Sequence, residues 1–344
     1  MTIKAIAFSD RGTATGENVI EKAGLSKESG SGLSDAVFTL ERCPAGGLSA
    51  WTENAWKASD ALLFIGACGI AVRAIAPFVN KKTEDPAVIV MDELGTYCIP
   101  VLSGHIGGAN ELAVRIARLI GALPVVTTAT DINGVFAADS WARSQGLVVA
   151  NPEKIKFVSS RLLAGEILKV KSLYDIEGEM PSCLEYADAG YDILVSHRSR
   201  GSAEALRLVP RAVTLGVGCH RNIELEALEA AFDAVLAKSG CHRLSIFQVA
   251  SLDLKKNEPA LLEFCKRHGF PFITYTADEL RAVPGDYTGS EFVKKITGVD
   301  NVCERAAVLA SGGRLINKKE AGNGVTMALA LKEPVLSWKG AIDG

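Results

Sequence analysis

The chain has no surplus of either charge: 37 Lys and Arg stand against 40 Asp and Glu, a formal net charge of −3 over 344 residues. A generally basic nucleic-acid surface is therefore excluded, and any anion site must be a focused pocket. No uninterrupted apolar stretch reaches membrane-spanning length, so no membrane contact is expected. The N-terminal Met-Thr-Ile-Lys-Ala-Ile-Ala-Phe-Ser begins a strand and lacks the charged, apolar and cleavable succession of a secretion signal. The eight cysteines, at 43, 68, 98, 183, 219, 241, 265 and 303, include no C-x-x-C pair and no zinc-type spacing. A reducing cytoplasm is the expected setting, with Cys68, Cys98 and Cys265 as small core residues. Neither G-x-G-x-x-G nor G-x-x-x-x-G-K-[ST] is present, which leaves a flavodoxin-like nucleotide binder supported only by fold analogy.

What is present is a soluble, core-forming composition of 48% hydrophobic and 22% charged residues, long enough for two or three domains. Strands are expected at Ile3–Ser9, Ala61–Ile65, Ala87–Met91, Thr96–Leu102 and Leu123–Thr128, with residues 13–36 as loop and a weak helix. A short helix follows Gly66-Ala-Cys-Gly69 and ends at Pro77. Residues 137–210 change character: a helix at Ala138–Gln145, a strand at Val148, a helix near Pro152–Leu168, then charged and glycine-containing segments. From Val213 strands and helices alternate again, with helices at Glu224–Lys238 (Asn222 as N-cap), Pro259–His268, Ala277–Ala282 and Asn301–Ala310. The fold class is α/β: two open α/β sandwich-type domains, 1–136 and 211–344, with a small middle region, 137–210.

The most informative stretch runs from Pro100 through Ser103-Gly-His105-Ile-Gly-Gly-Ala-Asn110-Glu111 to Ile120, a strand leading through a glycine-rich turn into a patterned helix closed by Gly121. Gly104, Gly107 and Gly108 let backbone N–H groups approach an anionic or carbonyl oxygen closely. In open α/β sheets ligands sit beyond the carboxyl ends of strands, so Gly66–Gly69, Ser103–Glu111 and Thr128–Asn133 are expected to converge on one pocket. Tight packing of the turn and a structural His105 are the competing reading.

Several segments resemble the cobalamin-biosynthesis CbiG family, the cobalt-precorrin-5A hydrolases of the anaerobic route. They are Phe64-Ile-Gly-Ala-Cys-Gly-Ile-Ala-Val-Arg73-Ala-Ile-Ala-Pro77, Asp92-Glu-Leu-Gly95, Val101 to Glu111 and Thr127-Thr-Ala-Thr-Asp131-Ile-Asn133. Leu215-Gly-Val-Gly-Cys-His-Arg221, Ala250-Ser-Leu-Asp-Leu-Lys255, Glu258 and Cys303-Glu-Arg-Ala-Ala307 look like the CobE/CbiG C-terminal domain. His220 stands where the family often has a second Arg, and Leu252 where Ile is common. The resemblance covers nearly the whole chain in order and implies opening of a δ-lactone on a cobalt tetrapyrrole, with the two-carbon fragment leaving as acetaldehyde. The cobalt then comes with the substrate and no cofactor of the protein's own is implied; a protein ligand to the cobalt stays open, with His105 and His220 as its candidates. A carrier that binds corrinoid intermediates without turnover is the alternative. A homodimer and passing contact with neighbouring pathway enzymes stay open, and no nucleic-acid partner is expected.

Such a reaction needs a proton-transfer group and donors for a developing oxyanion. His105, titrating near 6.5 when unperturbed, is the expected general base, with Glu111 to orient it and Ser103 to donate to the lactone oxygen; attack by Ser103 is disfavoured without a G-x-S-x-G elbow. The N–H groups of Gly107, Gly108 and Ala109 form the candidate cradle. Gly66, Gly104, Asn110, Asp131 and Asn133 are the remaining substrate contacts of the first domain, and Asp92 a water-positioning residue. Arg73, Arg221 and Lys255 are expected to hold substrate carboxylates. Turn formation, capping or a solvated surface explain several of these residues as well, and burial is the better account of Cys219 and Cys303.

Overall fold

The computed structural model describes residues 1–25, 33, 36–81, 84–105, 107–339 and 341. The chain folds into two compact units, Met1–Trp141 and Ala142–Lys339. Both are α/β, as expected, and the sheet of its own within residues 147–210 lies inside the second unit.

The first unit is built on β1 (Thr2–Ala7), β2 (Val37–Arg42), β3 (Ala61–Ile65), β4 (Ala87–Met91), β5 (Tyr97–Leu102) and β6 (Leu123–Pro124). The sheet order is β2-β1-β3-β4-β5-β6. Strands β1 to β4 are parallel, β5 runs antiparallel to β4, and β6 is parallel to β5. Every residue of β3 and β4 is buried, which explains their unbroken apolar sequences: helices cover both faces of a central parallel strand. The pleat sends Leu63, Ile65, Ile89 and Met91 to one face and Leu62, Phe64, Val88 and Val90 to the other. The first face packs on α1 (Asp10–Leu25) and α4 (Ala109–Ile120), the second on α2 (Leu48–Ala58) and α3 (Cys68–Ile75). Helix α4 buries Leu112, Ala113, Ile116 and Ala117 and stops at Gly121, left-handed as its position requires.

Three expectations are corrected here. The weak helix expected within 13–36 is more extensive than loop allows, since residues 13–25 continue α1; of the remainder, 26–32 and 34–35 lie outside the described residues. The strand expected to Thr128 pairs only over Leu123–Pro124, and Thr128 instead stands at the N-terminal boundary of the single turn α5 (Ala129–Ile132). Pro124 withholds an N–H and is tolerated because β6 is an edge. Cys68 is exposed, whereas Cys98 and Cys265 are buried as expected. Helix α6 (Ala138–Ser144) closes the region.

The second unit opens with β7 (Leu147–Val149), α7 (Ile155–Leu163), β8 (Leu168–Ser172), β9 (Ile176–Glu177), β10 (Leu184–Tyr186), β11 (Ile193–Val195) and β12 (Leu206–Pro210). Their five-stranded sheet runs β10-β8-β11-β12-β7. The helix expected to Leu168 ends at Leu163, and Leu168 opens a strand. A second five-stranded sheet follows, β15-β14-β13-β17-β16. It is built from β13 (Val213–Cys219), β14 (Ile246–Leu252), β15 (Phe272–Tyr275), β16 (Arg314–Gly322) and β17 (Val325–Leu331). Its helices are α8 (Leu225–Ser239), α9 (Pro259–His268), α10 (Ala277–Ala282), α11 (Glu291–Thr297) and α12 (Cys303–Ser311), and β18 (Leu336–Ser337) pairs with β9. Asn222 does not cap α8: it adopts a left-handed turn, φ 56, and Glu224 takes the N-cap place.

Candidate functional site

The reversal at β5 decides which loops can meet. Met91 pairs with Cys98 and Val88 with Leu102, so Ser103 leaves the sheet at the edge where β4 begins. Gly66 leaves β3 at the opposite edge, beside Met91, whose carbonyl accepts its N–H at 2.8 Å. A strand of this length separates the two by about 15 Å, so the expected convergence of Gly66–Gly69 with Ser103–Glu111 does not occur. Gly66 is small because a Cβ would meet Phe8 at 2.7 Å. Asp92 accepts from the Tyr97 N–H at 2.6 Å and shapes the β4–β5 turn.

The Ser103 loop closes on itself. Ser103 adopts φ 57 and its hydroxyl donates to the Asp85 carbonyl at 3.1 Å, away from the role of donor to a lactone oxygen. The Gly108 N–H donates to the His105 carbonyl and the Ala109 N–H to the Ser103 carbonyl, at 2.9 and 3.1 Å. Two of the three donors of the expected cradle, Gly108 and Ala109, are thus consumed inside the loop, a correction that follows from its tightness. A Cβ at Gly107 would stand 2.4 Å from the Ser103 Cβ, and one at Gly104 2.6 Å from Asn110 Oδ1. Gly108, φ 77, turns the chain into α4.

That closure aims His105 at α5 and α6. Nε2 lies 2.8 Å from Asp131 Oδ2, and Nδ1 lies 3.4 Å from Asp139 Oδ1. The Thr130 hydroxyl stands 3.3 Å from Nε2. Asn110 Nδ2 donates to Asp131 Oδ2 at 3.0 Å and to Thr128 Oγ1 at 2.9 Å. Of the three ionisable side chains, Asp139 is 5% exposed, His105 14% and Asp131 28%. Burial pushes the imidazole pKa down, but hydrogen bonds and charge from Asp139 and Asp131 overcome it and raise it to about 9. Burial likewise pushes Asp139 up, and its bond to His105 prevails, holding it below the usual carboxylate range. The expectation of a neutral histidine base is therefore overturned: two carboxylates keep an imidazolium between them at neutral pH.

Asp139 was not singled out by the sequence; its only signal was an acidic residue in the first turn of a helix, which dipole complementarity explains equally well. Glu111, expected to orient His105, pairs instead with Arg115 one turn along α4. Changing Glu111 to Gln is expected to alter stability by less than about 0.5 kcal/mol in urea titration, since exposed i,i+4 pairs contribute little. Asn133 donates to the Ala129 carbonyl at 2.8 Å and finishes α5. Arg73 is exposed on α3.

In the second unit, Lys255 Nζ lies 3.0 Å from Glu258 Oε2, and the two side chains are 16% and 5% exposed. Lys255 is thus neutralised by an internal carboxylate, which corrects its expected role in holding a substrate carboxylate. Arg221 is exposed just beyond β13. Burial pushes the thiols of Cys219 and Cys303 up to about 11 and about 12, so neither is a thiolate nucleophile at neutral pH. Among the described residues, no helix is long and apolar enough to cross a membrane.

Two family profiles match: cobalamin synthesis G N-terminal over residues 50–131 and cobalamin synthesis G C-terminus over 213–330. A cobalt-precorrin-5A hydrolase of Salmonella typhimurium is 35% identical over 301 residues, 83% of this chain and 86% of the relative. One from Priestia megaterium is 33% identical over 293 residues, 78% of each. Protein CobE of Sinorhizobium is 34% identical over 121 residues, 34% of this chain and 79% of that protein.

Proposed function

The chain belongs to the cobalamin synthesis G family, and we propose that it performs the cobalt-precorrin-5A hydrolase reaction at the His105, Asp131 and Asp139 cluster of its first unit. It is a hydrolase of cobalamin biosynthesis, and its substrate is a cobalt-precorrin. The observation that carries the placement is the imidazole held between two carboxylates, 2.8 and 3.4 Å away, at the mouth of a self-closed loop. Opening a δ-lactone develops negative charge on its carbonyl oxygen and then on the departing alkoxide. The imidazolium, with a pKa of about 9, keeps a fixed positive charge beside Asp131 at neutral pH, where those negative charges develop. Loss of the two-carbon fragment as acetaldehyde follows when the freed hydroxyl is deprotonated and the C–C bond breaks into the macrocycle. Cobalt arrives with the substrate in this reading, the setting is the cytoplasm, and Arg73 binds a peripheral carboxylate. A homodimeric state and transient contact with neighbouring pathway enzymes belong to the same proposal.

Anaerobic incubation of the purified protein with cobalt-precorrin-5A, trapping aldehyde with a hydrazine, tests it. One equivalent of acetaldehyde with matching mass loss from the corrinoid is expected, and His105→Ala is expected to slow release about a hundredfold or more. Unchanged substrate that coelutes with the protein would replace the hydrolase by a carrier.

A further inference from the structure

Resting on that hydrolase reading, we infer that Asp131 is the side chain that touches the reacting water and the substrate hydroxyl, while His105 and Asp139 stand behind it in line. Both ring nitrogens of His105 are already engaged, Nε2 by Asp131 and Nδ1 by Asp139, so the ring has no nitrogen left to face a substrate without giving up a carboxylate. Exposure rises along the line, from Asp139 at 5% through His105 at 14% to Asp131 at 28%. The open end is the Asp131 carboxylate.

Its two oxygens are differently placed. Oδ2 accepts from His105 at 2.8 Å and from Asn110 Nδ2 at 3.0 Å, while no hydrogen bond from the described residues reaches Oδ1. Two donors on one oxygen fix the plane of the carboxylate and leave the other oxygen to act. Asn110 is itself held by the Thr128 hydroxyl and by its backbone bond to Gly104, so the orienting amide comes from the same loop that places His105. Asp139 is the positioning residue: it fixes the ring through Nδ1, and the charged groups acting on the imidazole are these two aspartates.

The chemistry then runs through one oxygen. Asp131 Oδ1 takes a proton from water as the water oxygen bonds to the lactone carbonyl carbon. The acyl C–O bond breaks, and the departing alkoxide takes that proton back to become a hydroxyl. The same Oδ1 next removes the hydroxyl proton as the C–C bond breaks: its electron pair passes into the macrocycle, the C–O bond becomes a carbonyl, and acetaldehyde leaves. The proton on Asp131 is returned to the macrocycle or to solvent. His105, as imidazolium, orients the Asp131 carboxylate through Oδ2 and favours its anionic form, so that each proton taken up at Oδ1 is readily given on again.

The test is an anaerobic single-turnover assay of the full-length protein with cobalt-precorrin-5A, reading trapped acetaldehyde and, separately, substrate binding, with folding checked by circular dichroism. Asp131→Asn and Asp131→Ala are expected to slow the chemical step about a hundredfold or more with binding changed by less than about threefold. Formate is expected to restore about tenfold of the Asp131→Ala rate, because Asp131 lies at the open end, and to leave wild type unaffected. Asp139→Asn is expected to keep a smaller rate and to move the alkaline limb of the rate profile to lower pH, a change that lost packing alone would not produce. Folded Asp131→Ala within about threefold of the wild-type rate, or a loss confined to binding, overturns the inference. A wild-type protein that releases no acetaldehyde overturns the hydrolase reading instead.

Discussion

Raising the pH from 6.5 to about 9 is expected to remove up to about 3 kcal/mol of stability from the first unit, and replacing His105 by Gln to abolish that loss. The imidazole has a higher pKa folded than unfolded, so the folded state binds the extra proton in this window. The stabilisation is complete below the unfolded value of 6.5 and disappears as pH rises through the folded value of about 9. Asp139 shares the same interaction and acts at the other end: its lowered pKa contributes above the ordinary carboxylate range and is lost on acidification. Urea unfolding of the full chain at intervals between those values, wild type against His105→Gln, measures the slope. Equal slopes in the two proteins would remove the ion cluster as its source. The variant is also expected to start about 3 kcal/mol lower near pH 6, because Asp139 is left buried without its partner.

An alanine at Gly216 is expected to destabilise the C-terminal sheet by about 3 kcal/mol or more. Gly216 lies in the middle of β13, where a Cβ would stand 1.8 Å from the Cys303 carbonyl oxygen and 2.8 Å from its carbon. Those are backbone atoms at the start of α12, so no side-chain rotation relieves the clash and the helix must lift from the strand. Ala307, 2.9 Å away on the same helix, blocks a sideways slip. Gly24→Ala supplies the contrast: it lies in α1 with nothing within 4 Å of its added Cβ, and it should gain up to about 1 kcal/mol from helix propensity. If Gly216→Ala unfolds at the wild-type urea midpoint, the close approach of α12 to β13 is wrong.

Where a segment's structure follows from its own residues, the sequence shows it. The buried runs Ala61–Ile65 and Ala87–Met91 form the strands they spell, and Pro259–His268 and Ala277–Ala282 form helices over the expected residues. The latter starts with Thr276 and Glu279 exchanging cap hydrogen bonds. The short strands Leu184–Tyr186 and Ile193–Val195 carry too few residues for a period to show, and their partners lie elsewhere in the chain. The site was legible in part. Its histidine and Asp131 stand in the segments that attracted notice, but the pairing that changes the histidine's charge depends on Asp139, brought in by α6. Glu111 was the nearer carboxylate in sequence, and helical geometry carries it to Arg115. The direction of β5, which sends Gly66 and Ser103 to opposite edges, leaves no mark in either segment.

That strand reversal also governs how substitutions combine. Among the described residues, the Gly66 loop and the Ser103 loop share no side-chain partner, and they are separated by about the length of a buried strand, beyond the range over which energetic coupling is usual. Their effects on stability therefore sum. Drift in the surface around Gly66 and α3 can accumulate without disturbing the protonation of His105, whereas any change along Asn110, Asp131 and Asp139 is felt by all of them together.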